Sequence, residues 1–133
     1  MAKILLVDDE SDMRMALSNV LGRAGHEITE AGDGPTALRI LEERGADLVL
    51  LDIRLPGMDG VQILRRIREK DERTPVIMVT GYGSVDSAVQ VMQLGASSYL
   101  AKPFSNKELV ETVERALSGK IPPMEGPLVR RLE

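Results

Sequence analysis

The chain has 133 residues, of which 43% are hydrophobic and 29% are charged, and its formal net charge is −4. This balance is typical of one soluble globular domain, and the acidic charge with few aromatic residues argues against direct contact with nucleic acid. The chain has no cysteine and one histidine, which excludes disulfide scaffolds, thiolate zinc sites and sites built from several histidines. No apolar run is long enough to cross a membrane and no signal peptide is recognisable, so we expect a cytoplasmic protein.

The first element is a short apolar run, Lys3 to Val7, which predicts a strand covered on both faces. Apolar residues then recur at spacings of three and four, which is the stripe of an amphipathic helix. Ser11 or Asp12 is the expected cap at the start of this helix, and Gly25 is expected to end it.

The same alternation of strand and helix continues along the chain. Gly34-Pro35 opens the second helix, with Gly45 beyond its end, and Gly95 stops the fourth. Ser105 or Asn106 is expected to cap the fifth. The four further predicted strands are Glu27 to Ala31, Asp47 to Asp52, Pro75 to Thr80 and Ser98 to Ala101.

Five strand–helix units predict an α/β fold with one doubly wound, five-stranded parallel sheet flanked by five helices. We expect this domain to occupy residues 1–118. Residues 119–133 contain prolines and glycines without a sustained apolar stripe, so they are expected to form a tail or linker.

Polar side chains stand where four of the predicted strands end. Asp8 and Asp9 follow the first strand, Asp52 ends the third, Thr80 ends the fourth and Lys102 follows the fifth. In an open parallel sheet, ligands bind outside the carboxyl ends of the strands, so these side chains are expected to converge at one edge.

Three carboxylates at close range repel one another unless a cation compensates, and oxygen ligands without histidine or sulfur favour Mg²⁺ or Mn²⁺. A divalent ion beside a lysine and a hydroxyl is suited to holding a phosphoryl group. The predicted nucleophile is Asp52, which would form an acyl phosphate. Glu10, Asp12 and Asp59 are interpreted as caps or turn residues, and His26 as a surface residue.

Four short blocks lie at the predicted strand ends: Leu6 to Glu10, Leu51 to Gly60, Val79 to Gly81 and Ala101 to Phe104. Together they resemble the receiver domains of response regulators, the CheY-like phosphoacceptor domains of two-component signalling. The stretch from Thr80 to Gln90 is most similar to receivers of the NtrC and FixJ type. The resemblance covers about residues 3 to 118 and implies a flavodoxin-like fold with strand order 2-1-3-4-5.

The resemblance implies a role for each residue of the acidic site. Asp52 would accept a phosphoryl group from a sensor histidine kinase. Asp9, Asp52 and the backbone carbonyl of Arg54 would bind Mg²⁺ directly, with Asp8 acting through water. Lys102 would pair with the phosphoryl oxygens.

The resemblance also implies a switch. Thr80 would move to hydrogen-bond the phosphoryl group, and Tyr99 would turn inward after it. The surface of the fourth helix, fifth strand and fifth helix would carry dimer or effector contacts, with a C-terminal effector expected outside this chain. The Lys102-Pro103 bond would be cis, and Arg54 and Tyr82 are expected to shield the acyl phosphate from water.

Two other function classes are alternatives to the receiver. A flavodoxin-like cofactor protein would need a phosphate-binding first loop and aromatic residues, whereas this loop is acidic and aromatic residues make up 2% of the chain. A Mg²⁺-dependent aspartyl phosphatase would need a second acid two residues beyond the nucleophile, where Arg54 stands. The sequence therefore favours a signalling switch over an enzyme.

Overall fold

The computed structural model describes residues 2–81 and 85–119. Five strands form one parallel sheet in the order β2-β1-β3-β4-β5, which confirms the predicted fold. The strands are β1 (Lys3–Val7), β2 (Glu27–Ala31), β3 (Leu48–Asp52), β4 (Val76–Thr80) and β5 (Ser98–Ala101). The helices of the described residues are α1 (Ser11–Arg23), α2 (Gly34–Glu43), α3 (Gly60–Lys70), α4 (Val85–Gln93) and α5 (Asn106–Leu117).

The strands divide their side chains between two hydrophobic clusters because successive residues of a strand point to opposite faces. In β1, Leu5 and Val7 belong to the cluster that packs α2, α3 and α4 against the sheet. Ile4 and Leu6 belong to the other cluster, which packs α1 and α5. Burial on both faces explains why the three inner strands, β1, β3 and β4, are nearly continuous apolar runs.

In the part of the chain that the structure describes, three helices begin with a side-chain cap. Asp33 accepts a hydrogen bond from the N–H of Thr36, and Ser105 accepts one from Glu108. Asp59 and Gln62 bond to each other's backbone N–H in a capping box. The caps predicted for α5 and for Asp59 are confirmed, whereas Asp33 was not singled out from the sequence.

The predicted cap of α1 is wrong. Glu10 occupies the N-cap position and its side chain makes no capping bond, while Ser11 is already the first helical residue. The N–H of Glu10 instead donates to the carboxylate of Asp8, 2.9 Å away. The start of this helix is therefore shaped by the acidic loop before it.

His26 is also not the surface residue that the sequence suggested. Its side chain is only 6% exposed, and its Nε2 lies 2.8 Å from the carboxylate of Glu114 on α5. Its Nδ1 lies 3.2 Å from the backbone nitrogen of Ala2. The partner residue is 88 positions away along the chain, which no local sequence pattern reveals.

Within the described residues, none of the helices combines the length and apolar character that crossing a membrane requires.

Candidate functional site

The register of the sheet brings the predicted polar residues to one edge. Val7 pairs with Leu51, so Asp8 and Asp52 are the next residues of two neighbouring strands. Thr80 pairs with Ala101 on the other side, immediately before Lys102. The convergence expected from the strand ends is therefore present in the fold.

Asp52 is the last residue of β3 and is only 7% exposed. One of its carboxylate oxygens accepts a hydrogen bond from the N–H of Arg54 at 3.1 Å, and the other lies 3.4 Å from Nζ of Lys102. Burial raises the pKa of the Asp52 carboxyl, and Asp8 adds to the rise, while the N–H of Arg54 and the ammonium of Lys102 oppose it. The charged carboxylate is thus held in a setting that favours a compensating cation.

Lys102 supplies one positive charge to two acids. Its Nζ lies 3.6 Å from Asp8 and 3.4 Å from Asp52, and its side chain is 20% exposed. Its backbone N–H donates to the carbonyl of Thr80 at 2.8 Å, which fixes where the side chain leaves the sheet. The bond from Lys102 to Pro103 is cis, as the resemblance implied.

The loop after β1 holds an acidic group. Carboxylate oxygens of Asp8, Asp9 and Glu10 lie within 4.8 Å of one another, and Asp8 is buried. From the sequence, Glu10 is interpreted as a cap or turn residue, although three consecutive acids are a signal for a larger acidic group. Nζ of Lys102 lies 3.6 Å from Asp8 of this group and 3.4 Å from Asp52, so Asp52 is close to the same acids. The carboxylates fit a hard divalent cation because they offer only oxygen ligands.

The two predicted switch residues lie on neighbouring strands. Thr80 ends β4 and is 1% exposed, and Tyr99 lies on β5 opposite Met78. The ring of Tyr99 packs against the cluster under α2, α3 and α4. Its hydroxyl is buried, finds no hydrogen-bond partner in the described part of the chain, and has its pKa raised by that burial. In this structure the hydroxyl of Tyr99 is already buried.

The first residue of α3 abuts Asp52. A Cβ atom at Gly60 would lie 2.3 Å from the carbonyl oxygen of Asp52, so only glycine fits at this approach. The N–H of Gly60 donates to the carbonyl of Ile53 at 2.8 Å. In the sequence this glycine indicates only a turn, and nothing there reveals its close approach to the backbone of Asp52.

The remaining predicted site residue is Arg54. Its side chain is exposed, and its backbone N–H is the group that contacts Asp52. The role of its carbonyl as a metal ligand stays a prediction. Tyr82, which was expected to shield the acyl phosphate together with Arg54, lies outside the described residues.

A five-stranded parallel sheet with acids and a lysine at its carboxyl edge is the arrangement of a class of signalling switch domains, and comparison with known proteins agrees with that class. The family model for the response regulator receiver domain matches residues 4–114. The chain therefore belongs to the response-regulator receiver domain family, whose members are signalling switches. This membership favours the receiver class over the flavodoxin-like and aspartyl phosphatase classes.

Individual relatives show how the chain relates to longer regulators. The response regulator protein FleR of Pseudomonas aeruginosa is 42% identical over 129 residues, which is 96% of this chain and 27% of that protein. Sporulation initiation phosphotransferase F of Bacillus subtilis is 41% identical over 115 residues, which is 86% of this chain and 93% of that protein.

Among solved structures, the receiver domain of NtrX from Brucella abortus has 38% identity and a TM-score of 0.83, covering 86% of this chain and 98% of that one. The chain spans about a quarter of the length of the response regulator protein FleR and of the regulatory protein AtoC of Escherichia coli. It is thus similar to the receiver part of NtrC-type regulators.

Proposed function

We propose that this chain is a phosphoryl-accepting receiver in which Asp52 takes a phosphoryl group from a sensor histidine kinase. The observation that carries the proposal is the buried Asp52 carboxylate with Nζ of Lys102 at 3.4 Å. An oxygen of Asp52 attacks the phosphorus of a phosphohistidine, the nitrogen–phosphorus bond breaks, and its electron pair stays on the imidazole. The product is an aspartyl phosphate, which water later hydrolyses.

A divalent ion, Mg²⁺ or Mn²⁺, supplies neutralisation of charge on the transferring group when it is bound. The receiver family generally binds such an ion at an acidic cluster. In this chain Asp9, Asp52 and the backbone carbonyl of Arg54 would hold it, with Asp8 contributing through water. Lys102 contacts both buried acids, and it would pair with the phosphoryl oxygens after transfer.

The switch that follows is proposed to run through Thr80 and Tyr99. Thr80 would move toward the phosphoryl oxygens, and Tyr99 would fill the space that the hydroxyl leaves. The output surface would be α4, β5 and α5, through which the domain would dimerise or contact an effector. Relatives that match only in part include proteins named as transcriptional regulators, which supports an effector of transcriptional type. In this proposal, residues 1–118 are the receiver and residues 119–133 are a tail or linker.

The phosphorylation step is tested with acetyl phosphate, which avoids the need for the cognate kinase. With Mg²⁺, mass spectrometry should detect one added phosphoryl group that hydroxylamine removes, and chelation of the metal should prevent its addition. The variant Asp52→Asn should take up no phosphoryl group. The control variant Asp12→Asn, at an exposed acid of α1, should be phosphorylated like the parent. A hydroxylamine-resistant phosphate on serine or threonine would contradict the proposal.

The switch is tested separately with Thr80→Ala. This variant should still take phosphate at Asp52 but should lose the NMR shift changes across α4 and β5 that the parent shows with beryllofluoride and Mg²⁺. A response across α4 equal to the parent's would remove Thr80 from the coupling.

A further inference from the structure

Arg14 of α1 connects three segments beside the acidic loop. Its Nη1 donates to the backbone carbonyl of Asp8 at 2.6 Å, and its Nε forms an ion pair with Glu30 of β2 at 3.1 Å. Ser18, one turn further along α1, donates to the other carboxylate oxygen of Glu30 at 3.1 Å. The guanidinium is thus fixed at two of its nitrogens, and its side chain is only 20% exposed.

These contacts act on the backbone that carries the acids. The N–H of Asp8 donates to the carbonyl of Ala31 on β2 at 3.1 Å, so the residue is held on its amino side by the sheet. On the carboxyl side of Asp8, its carbonyl oxygen accepts the hydrogen bond from Arg14. That oxygen belongs to the rigid, planar peptide group that joins Asp8 to Asp9. Its orientation sets the direction in which the Asp9 side chain leaves the backbone.

The charge of Arg14 by itself works against a metal ion. A guanidinium beside an acidic group repels a divalent cation, and Glu30 offsets that positive charge. Charge and geometry therefore predict opposite effects for a variant that lacks the guanidinium. If charge dominated, removal of Arg14 would tighten Mg²⁺ binding, whereas loss of the contact with Asp8 would weaken it.

We propose that Arg14 is a positioning residue for the divalent ion, acting through its bond to the Asp8 carbonyl, which orients the peptide between Asp8 and Asp9. Glu30 and Ser18 hold the guanidinium in place and offset its charge. This inference rests on the proposed function because it concerns the ion at the same site. Outer residues that orient ligands commonly change metal affinity by about 10-fold, and we expect an effect of that size.

The test is a Mg²⁺ titration of the unphosphorylated protein, followed by the NMR shifts of the backbone amides of residues 8–10. Arg14→Met should raise the dissociation constant for Mg²⁺ about 10-fold. Phosphorylation of this variant by acetyl phosphate should recover at saturating Mg²⁺. Arg68→Met is the matched control. Like Arg14, Arg68 is held at two guanidinium nitrogens, in this case by the backbone carbonyls of Gly95 and Asp71. It lies on α3, away from the acidic loop.

Affinity in Arg14→Met that equals or exceeds the parent's overturns the positioning role, and so does an equal loss in Arg68→Met. A parent protein that shows no Mg²⁺-dependent shifts at residues 8–10 overturns the metal step of the proposed function itself. If Arg14→Met does not fold, Glu30→Ala replaces it, with Glu27→Ala on the same strand as the control for lost charge. Equal affinities for those two variants also overturn the role of Arg14.

Discussion

Two aspartates at opposite edges of the sheet have opposite surroundings. Asp71 follows α3 at the amino edge, where its carboxylate accepts bonds from the hydroxyl and N–H of Thr74 and from the N–H of Arg73. The Thr74 hydroxyl, more than the N–H of Arg73, holds the pKa of Asp71 below its ordinary 3.8. Asp52 lies at the carboxyl edge, where burial raises its pKa above the same value.

The contrast separates structural from functional use of one residue type. The bonds of Asp71 come from residues two and three positions along the chain, so its charge stabilises the loop that it closes. Asp52 is placed in a buried position whose charge the protein alone does not fully compensate. Functional sites commonly oppose stability in this way, because the groups are positioned for a ligand rather than for the unliganded fold.

Asp52→Asn should have the largest effect of the variants considered. It removes the proposed nucleophile and should therefore abolish phosphorylation by acetyl phosphate. Without metal, the free energy of unfolding should rise at neutral pH. The folded state binds a proton to Asp52 more readily than the unfolded state, so parent stability falls as the pH rises from 3.8 through the higher folded value. The advantage of Asn should therefore grow across that window and vanish below it. Urea denaturation over a pH series measures this, and a variant less stable at neutral pH would contradict it.

Gly60→Ala should give the largest loss of stability at the carboxyl edge. The added Cβ would lie 2.3 Å from the carbonyl oxygen of Asp52, so α3 must shift, at an expected cost of about 3 kcal/mol. Gly22→Ala is the control, since a Cβ at that position of α1 meets nothing within 4 Å and should stabilise the helix by about 0.5–1 kcal/mol. Chemical denaturation compares the two variants. Equal effects would show that the close approach is not needed.

Asp71→Asn should have the opposite sign to Asp52→Asn. It should reduce the free energy of unfolding at neutral pH by about 1–2 kcal/mol, because the bonds at Asp71 are charge-assisted. Since the folded pKa is lowered, this stability is present above 3.8 and is lost as the pH falls through the folded value. Phosphorylation at Asp52 should be unchanged. The same pH series provides the measurement, and a loss that persisted in acid would assign the effect to packing.

Tyr99→Phe tests a second polar group that is buried without compensation, the Tyr99 hydroxyl of β5. Because the hydroxyl is buried without a partner in the described residues, its removal should raise the free energy of unfolding by about 1 kcal/mol. Denaturation of the unphosphorylated protein measures the change. Destabilisation instead would mean that the hydroxyl has a partner in solution.

Much of the fold could be predicted because the three inner strands are nearly continuous apolar runs bounded by turn residues. β1, β2 and β5 have the predicted limits, and β3 and β4 each begin one residue later than expected. Gly25, Gly45 and Gly95 have φ values of +97°, +70° and +104° just after helices, as expected of glycine at these ends. These features depend on residues that are near one another in sequence.

The site was predictable only as a location. The strand ends placed Asp8, Asp52 and Lys102 at one edge, but which oxygen meets which nitrogen depends on register and rotamer. The contact of Gly60 with Asp52 and the bond from Arg14 to the Asp8 carbonyl depend on how helices approach the sheet. Such distances follow from packing, which a single sequence does not specify.

The contact between His26 and Glu114 makes the protein its own spectroscopic probe. His26 is the single histidine of the chain, so its imidazole gives one isolated set of NMR signals. Because Nδ1 faces the N–H of Ala2, the proton belongs on Nε2, which donates to α5. The ¹⁵N shifts of this one ring should therefore report whether α5 keeps its place when Asp52 is modified at the far edge of the sheet, without any label attached to the protein surface.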